Sequence, residues 1–327
     1  MFNGLGEKIV KNLNDKQMKE PWFYLIHLMD SHKPIDYPDH FDSNEFGLDE
    51  YERMMAFVDS WIGKFLENLN LEKTLVILTA DHGDYVRTII HNGKRISFEY
   101  RSFAKSTHKV FKLTPKFLYP IMIKSLLALR NFITKIKLLR LGAELTPYKS
   151  RTLTSARSFA NHFLYDEVIH VPLIMTGFGI PKGKKIQNLV GLVDLFPTIC
   201  DILGIKEKAK FQHGRSLLPL LEGREFKEFP IYSETSLNLK NENEGGYGIR
   251  TSKYKYFRTG SKKDKKIHLY DLEKDPLEEV NLSEDHKDII QHMEGLLKEL
   301  KNNVPQESEK DFIKKQITKM RKNLLYD

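Results

Sequence analysis

The fold class the sequence predicts is α/β, with a mostly parallel central sheet flanked by helices and a small C-terminal antiparallel α+β subdomain. Three observations predict it. Residues 74–83, Thr-Leu-Val-Ile-Leu-Thr-Ala-Asp-His-Gly, form a β-branched and aliphatic run closed by glycine, the pattern of a strand buried on both faces. A helical period over 48–69 feeds that run and an apolar run at 22–28 precedes the helix, so strand, helix and strand succeed one another as in a right-handed parallel crossover. Toward the C-terminus the runs at 247–258 and 266–272 alternate, which reads as antiparallel sheet, and one amphipathic helix follows from Ser283.

Composition bounds the rest. With 327 residues, 40% hydrophobic and 29% charged, the chain has room for two domains or for one large domain with an appendage. A single cysteine, Cys200, excludes intrachain disulfides and any multi-cysteine zinc site. The opening Met-Phe-Asn-Gly-Leu-Gly-Glu-Lys lacks the apolar core of a signal peptide, so the expectation is a protein that is cytoplasmic or peripheral at a membrane.

Charge is distributed unevenly. Residues 94–157 carry 15 Lys and Arg against Glu99 and Glu144, a local net of +13, which leaves −5 on the remainder of a chain whose total is +8. The expected organisation is therefore an α/β core over 1–237 with a basic helical insertion at about 84–160, an antiparallel subdomain over 238–302 and a polar tail over 303–327.

Taken in order, Trp22 to Leu28 is expected to be a strand, with His27 a packed core residue, running into the polar loop Asp30-Ser31-His32-Lys33-Pro34. There the His32 ring can face a cleft. Tyr51, Met55, Val58, Ile62, Phe65 and Leu69 recur at three and four residues, which makes 48–69 a helix. Asp81 and His82 then sit where the strand 74–80 ends, the position at which open α/β sheets bind ligands, and a carboxylate beside an imidazole suits a metal or a phosphate-like group. The same tripeptide also fits Asp81 as a helix cap and His82 as a packed loop residue.

Within the insertion, Phe117 to Leu141 is rich in Ile, Leu and Met and holds Lys124, Arg130, Lys135, Lys137 and Arg140 with no acid. Each cation costs about 2.5–3.5 kcal/mol at mid-bilayer, so a spanning helix is not expected. Two readings stand: a helix in the interface of an anionic membrane, or a helical pair packed on the body or on a partner. Nucleic acid is not an expected partner, because aromatics are not interleaved with the charges. Beyond it, 171–175 and 189–193 are expected strands and 194–203 a helix capped by Asp194, with Gly204 past its end and Cys200 as an inert buried thiol. Asp166 and Glu167 are expected to cap or pair locally.

Six segments in this order resemble the sulfatase family of the alkaline phosphatase superfamily. They are 27–34 (His-Leu-Met-Asp-Ser-His-Lys-Pro), 78–83 (Leu-Thr-Ala-Asp-His-Gly), 164–174 (Leu-Tyr-Asp-Glu-Val-Ile-His-Val-Pro-Leu-Ile), 192–204, 214–221 (Gly-Arg-Ser-Leu-Leu-Pro-Leu-Leu) and 269–282, which begins Leu-Tyr-Asp-Leu-Glu-Lys-Asp-Pro. The resemblance implies that Asp81 and His82 are two ligands of one divalent cation, calcium or magnesium, with manganese also admitted by the imidazole. It implies that His32 protonates the leaving alkoxide of a sulfate ester and that His162 stabilises charge on the non-bridging oxygens.

The family's nucleophile lies in Cys/Ser-x-Pro/Ala-x-Arg, and no such run occurs in these 327 residues. The implied activity, sulfate ester hydrolysis, is thus expected to need an N-terminal segment with that nucleophile and an acidic ligand pair, truncated from this chain, placed in a separate chain, or lost. A phosphodiester or phosphonate hydrolase or phosphoryl transferase of the same superfamily, and a catalytically inactive membrane-associated binding module, are the alternatives.

Overall fold

A computed structural model describes residues 1, 4–14, 19–32, 35–98, 115, 118–140, 145–154, 163–205, 214–235, 246–259 and 266–302. The chain is α/β and divides into two compact units, Met1–Leu78 with Asp84–Phe159, and Thr79–Gly83 with Ala160–Asp327.

The first unit is built on two helices, α1 (Leu5–Asn14) and α2 (Glu50–Glu67). Asp49 caps α2: its carboxylate accepts the Tyr51 and Glu52 N–H groups, both at 3.0 Å. The face that α2 buries comprises Met54, Phe57, Val58, Trp61 and Phe65. This is rotated from the stripe read in the sequence, for Met55 is 42% exposed. The bulky Phe57 and Trp61 decide the rotation by joining the core around Ile9, Ile35, Tyr37 and Phe41. Close approach of α1 is possible because residue 6 is glycine; a Cβ there would lie 2.5 Å from the Trp61 ring.

Residues 22–29 do not form the expected strand. They run without regular strand or helix but keep a period of two, in which Tyr24, Ile26 and Leu28 pack on the helical core. Phe23 and Leu25 point outward and are 81% and 78% exposed. His27 shares the outward row, so it is exposed and not a core residue. No strand pairs with this segment among the described residues.

The hairpin β2 (Thr88–His91) and β3 (Lys94–Ser97) turns at Asn92-Gly93, where both φ angles are positive, 49° and 72°. It is held to α2 through the cap, since the second carboxylate oxygen of Asp49 accepts from the Thr88 hydroxyl at 2.8 Å and from Arg95 at 2.9 Å. Further along the chain lie α3 (Tyr119–Arg140) and α4 (Pro147–Thr154). Among the described residues no helix is long and apolar enough to cross a membrane.

The second unit contains α5 (Asp166–Ile169), β4 (Leu173–Gly177), α6 (Leu195–Ile202), α7 (Leu218–Leu221) and an antiparallel sheet in the order β5 (Ile231–Glu234), β6 (Tyr247–Arg250), β7 (Tyr254–Thr259), β8 (Lys266–Asp271), followed by α8 (Lys287–Asn302). One face of that sheet buries Ile249, Tyr256 and Leu269 against Met293 and Leu297 of α8. The other packs Phe257 and Tyr270 on Leu164, with the His268 ring stacked on Phe257 at 4.4 Å. Burial, and to a lesser degree the charge of Lys266, pushes His268 down to about 4.

Two expectations fail here. Residues 189–193 form no strand; a single 3-10 turn, Leu192–Asp194, takes their place. Asp194 does not cap α6 through its side chain, because its carboxylate accepts from the Gly191 N–H at 2.9 Å and the Arg215 N–H at 3.0 Å. The buried carboxylate thereby satisfies backbone N–H groups of two loops. Gly204, with φ of 68°, ends the helix as read.

Candidate metal centre

Strand β1 (Leu75–Thr79) is half-buried rather than sealed on both faces, and it delivers a tip, residues 80–83, that belongs to the second unit and exposes Asp81 and His82. Both ends of the tip are pinned within that unit. The Thr79 hydroxyl donates to the Pro172 carbonyl at 2.8 Å, and the Gly83 N–H donates to the Val168 carbonyl at 2.7 Å. Only glycine fits at the second pin, for a Cβ on residue 83 would stand 2.1 Å from the Glu167 carbonyl oxygen.

The pins set the chemistry of the pair. His82 Nδ1 lies 2.7 Å from the Gly83 carbonyl oxygen. A carbonyl only accepts, so this contact requires the proton on Nδ1 and leaves Nε2 with its lone pair. That nitrogen is 3.5 Å from Asp81 Oδ2, while Asp81 Oδ1 accepts the His82 N–H at 2.9 Å. Two lone pairs turned toward each other call for a proton on Nε2 or for a cation shared between them.

Two donors bonded to an ion at about 2.4 Å and at a right angle lie about 3.4 Å apart, so the observed separation suits neighbouring ligands of one cation. The pair also keeps the outer hydrogen bond that normally orients a metal-bound imidazole. A carboxylate oxygen with one imidazole fits calcium, magnesium or manganese. Among the described residues no three His, Cys, Asp or Glu side chains converge on a metal site.

The remaining residues singled out in the sequence are not brought to this tip within one unit. His32 belongs to the first unit, exposed in a turn closed by its N–H on the Met29 carbonyl at 3.0 Å. His162 lies outside the described residues.

Sequence reasoning missed the group that supports the tip from behind. Asp166 makes no local pair. Its carboxylate takes Lys255 Nζ and both Nε and Nη2 of Arg250, the last two at 3.3 and 3.2 Å, from residues more than 80 positions away. Lys255 also pairs with Glu278 at 2.7 Å, and Glu278 accepts the Asp166 N–H at 2.8 Å. Lys255 and Glu278 are each 1% exposed. Burial alone would push the Asp166 carboxyl up, but Lys255 and Arg250 outweigh it and hold it below the ordinary range. Burial pushes Glu278 up, against Lys255 and the Asp166 N–H. The available signal was slight: Lys255 stands between Tyr254 and Tyr256 in a strand, and a lysine there reads as outward-facing.

Comparison with known proteins gives this geometry a setting. The sulfatase family model matches residues 3–205, and a model of the N-sulphoglucosamine sulphohydrolase C-terminal region matches 155–309. Human arylsulfatase K is 32% identical over 171 residues, covering 48% of this chain and 32% of that protein. Delta 4,5-hexuronate-2-O-sulfatase of Bacteroides thetaiotaomicron is 36% identical over 143 residues, covering 41% of this chain and 29% of that one. The chain thus spans well under half the length of the curated relatives it matches.

Among solved structures, the yidJ protein of Bacteroides fragilis superposes with a TM-score of 0.58 at 17% identity, over 88% of this chain and 55% of that chain. A Bacteroides thetaiotaomicron protein from a locus for metabolism of multiple glycosaminoglycans reaches 0.55 at 18% identity, over 92% and 53%. At these identities the likeness concerns the fold alone.

Proposed function

The chain belongs to the sulfatase family, and from that premise we propose that it forms part of a metal-dependent sulfate ester hydrolase. The observation that carries the reading is the Asp81–His82 pair, whose Nδ1–H is committed to the Gly83 carbonyl so that Nε2 and a carboxylate oxygen present lone pairs 3.5 Å apart. Asp81 and His82 would hold one divalent cation, calcium or magnesium with manganese also admitted, which would supply Lewis-acid stabilisation of charge on the ester oxygens. Asp81 contributes the anionic oxygen and His82 the neutral nitrogen. His32 is assigned the role of acid toward the leaving alkoxide oxygen, and His162 that of stabilising charge on the non-bridging oxygens of the sulfate.

Turnover requires a nucleophile-bearing segment that is not among these 327 residues, whether it belongs to a longer form of this chain or to a separate one. Its support is that no Cys/Ser-x-Pro/Ala-x-Arg run occurs among these 327 residues and that Phe23, Leu25 and Met29 turn an apolar row outward, a surface such a segment can cover. The helix α3 rests on an anionic membrane surface: Ile121, Leu129, Phe132 and Leu139 are at least half exposed beside the exposed Lys124 and Lys135, and no acid interrupts the helix. Binding to phosphatidylserine vesicles at low salt is the expected result; no binding there removes the membrane role.

The test of the activity is hydrolysis of 4-nitrophenyl sulfate in the presence of calcium, magnesium or manganese, by the chain with and without a polypeptide carrying the nucleophile motif. Turnover only in the combined sample, abolished by Asp81→Ala, is expected. Full turnover by the Asp81→Ala chain contradicts the metal assignment. Turnover of a phenylphosphonate ester in place of the sulfate moves the chemistry to phosphonate hydrolysis, and turnover of neither leaves a catalytically inactive binding module.

A further inference from the structure

The tip that carries His82 and the charge cluster around Lys255 are joined by an unbroken set of contacts inside the second unit. At one end Lys255 of β7 pairs with Glu278 at 2.7 Å, and both grip Asp166, Lys255 by its carboxylate and Glu278 by its N–H at 2.8 Å. Asp166 is the first residue of α5, whose Val168 carbonyl accepts the Gly83 N–H at 2.7 Å. The carbonyl of that same Gly83 receives His82 Nδ1 at 2.7 Å.

A four-residue helix has no rigidity of its own, so its placement comes from what holds its ends. Asp166 is held by two cations and one acid, while the Thr79 hydroxyl on Pro172 fixes the far side of the tip. There is no slack at the centre, given the glycine at 83 against the Glu167 carbonyl. The direction of the Gly83 peptide, and with it the tautomer and plane of the imidazole, therefore depends on where α5 sits.

We propose that Lys255 and Glu278 are positioning residues that set the His82 imidazole for metal binding, acting through Asp166, α5 and the Gly83 peptide. The proposal rests on the Asp81–His82 reading, and it assigns to a buried ion cluster of the C-terminal sheet a role in a site formed by residues 81 and 82. Neither residue touches the cation. What they supply is the orientation of a ligand's outer hydrogen bond, whose loss in metal sites typically weakens affinity 10- to 100-fold.

The test uses the whole chain with ¹⁵N-labelled histidine, the His82 signals being assigned by their loss in His82→Gln. Without metal, the wild-type ring is expected to keep a proton on Nδ1, committed to the Gly83 carbonyl, whether or not Nε2 is also protonated. The paired variant Lys255→Met/Glu278→Met removes both buried charges at once, a change that leaves folds intact more often than breaking one partner does. It is expected to populate both tautomers and to bind Mn²⁺ at least tenfold more weakly. Lys255→Arg, which preserves the charge, is expected to keep the wild-type tautomer and an affinity within about threefold.

A folded paired variant with wild-type tautomer and wild-type Mn²⁺ affinity overturns the proposal. Should the paired variant fail to fold, Asp166→Asn decides on the same two readouts: it keeps the volume and weakens the grip on α5, and unchanged values overturn the proposal equally. Because the tautomer is read without metal, it judges the positioning role even if Asp81→Ala leaves Mn²⁺ affinity untouched, a result that defeats the metal reading alone.

Discussion

Two carboxylates, Asp49 in the first unit and Asp166 in the second, do similar work by different means. Asp49 is 2% exposed and divides its oxygens between helix N–H groups, a threonine hydroxyl and Arg95. Its cation is partly solvated, the Arg95 side chain being 32% exposed. Asp166 is paired with Lys255, itself 1% exposed and shared with an equally buried Glu278. Where backbone donors carry the anchor, the cation is an accessory. Where ions carry it, each partner is indispensable to the others, because an unpaired buried charge is far costlier than an unpaired surface one.

The largest effect that breaks this comparison is Lys255→Met. It leaves Glu278 buried without its cation and is expected to cost about 3–5 kcal/mol in denaturant unfolding. The matching change in the first unit, Arg95→Met, is expected to cost only about 0–1 kcal/mol, since the Arg95 side chain is partly solvated and Asp49 keeps its backbone and hydroxyl donors. Equal losses from the two substitutions would erase the distinction.

Next in size is a pH effect confined to the second unit. His268 has its folded value lowered from 6.5 to about 4, so the unfolded chain binds the extra proton first as pH falls. Stability is complete above pH 6.5 and is lost as pH drops toward 4, by a total on the order of 3 kcal/mol. His268→Phe should flatten that slope in unfolding measured between pH 4 and 7, while a retained slope would place the proton elsewhere.

The smallest effect belongs to the cap. Asp49→Ala is expected to cost about 1–2 kcal/mol, the value of a good N-cap together with one hydroxyl bond. Amide exchange should report it first at Tyr51 and Glu52, the donors that lose their acceptor. Protection there equal to wild type would show that water replaces the carboxylate without penalty.

How much of this was legible depends on whether the signal was local. The strand end at Asp81 and His82 was, because the apolar run and its glycine stop lie within ten residues of each other. Helix α2 was legible in extent but not in facing, since Met54, Phe57 and Trp61 compete with Met55 and Ile62 for the same period and only packing on α1 decides. Asn92-Gly93 carried a clear hairpin signal inside a stretch read only as a basic insertion. The outward turn of His27 and the missing ladder at 189–193 depend on which strands lie alongside, which no local pattern encodes. The Asp166–Lys255–Glu278 cluster joins positions about 90 and 20 residues apart in sequence, and charge pairing at such distance has no periodicity to betray it.

The most direct trial of the central claim is a Mn²⁺ titration followed by electron paramagnetic resonance, comparing wild type with Asp81→Ala and His82→Ala. Two neighbouring ligands on one ion predict that either substitution weakens binding at least tenfold. Wild-type affinity in both variants would mean that the tip of β1 holds no cation.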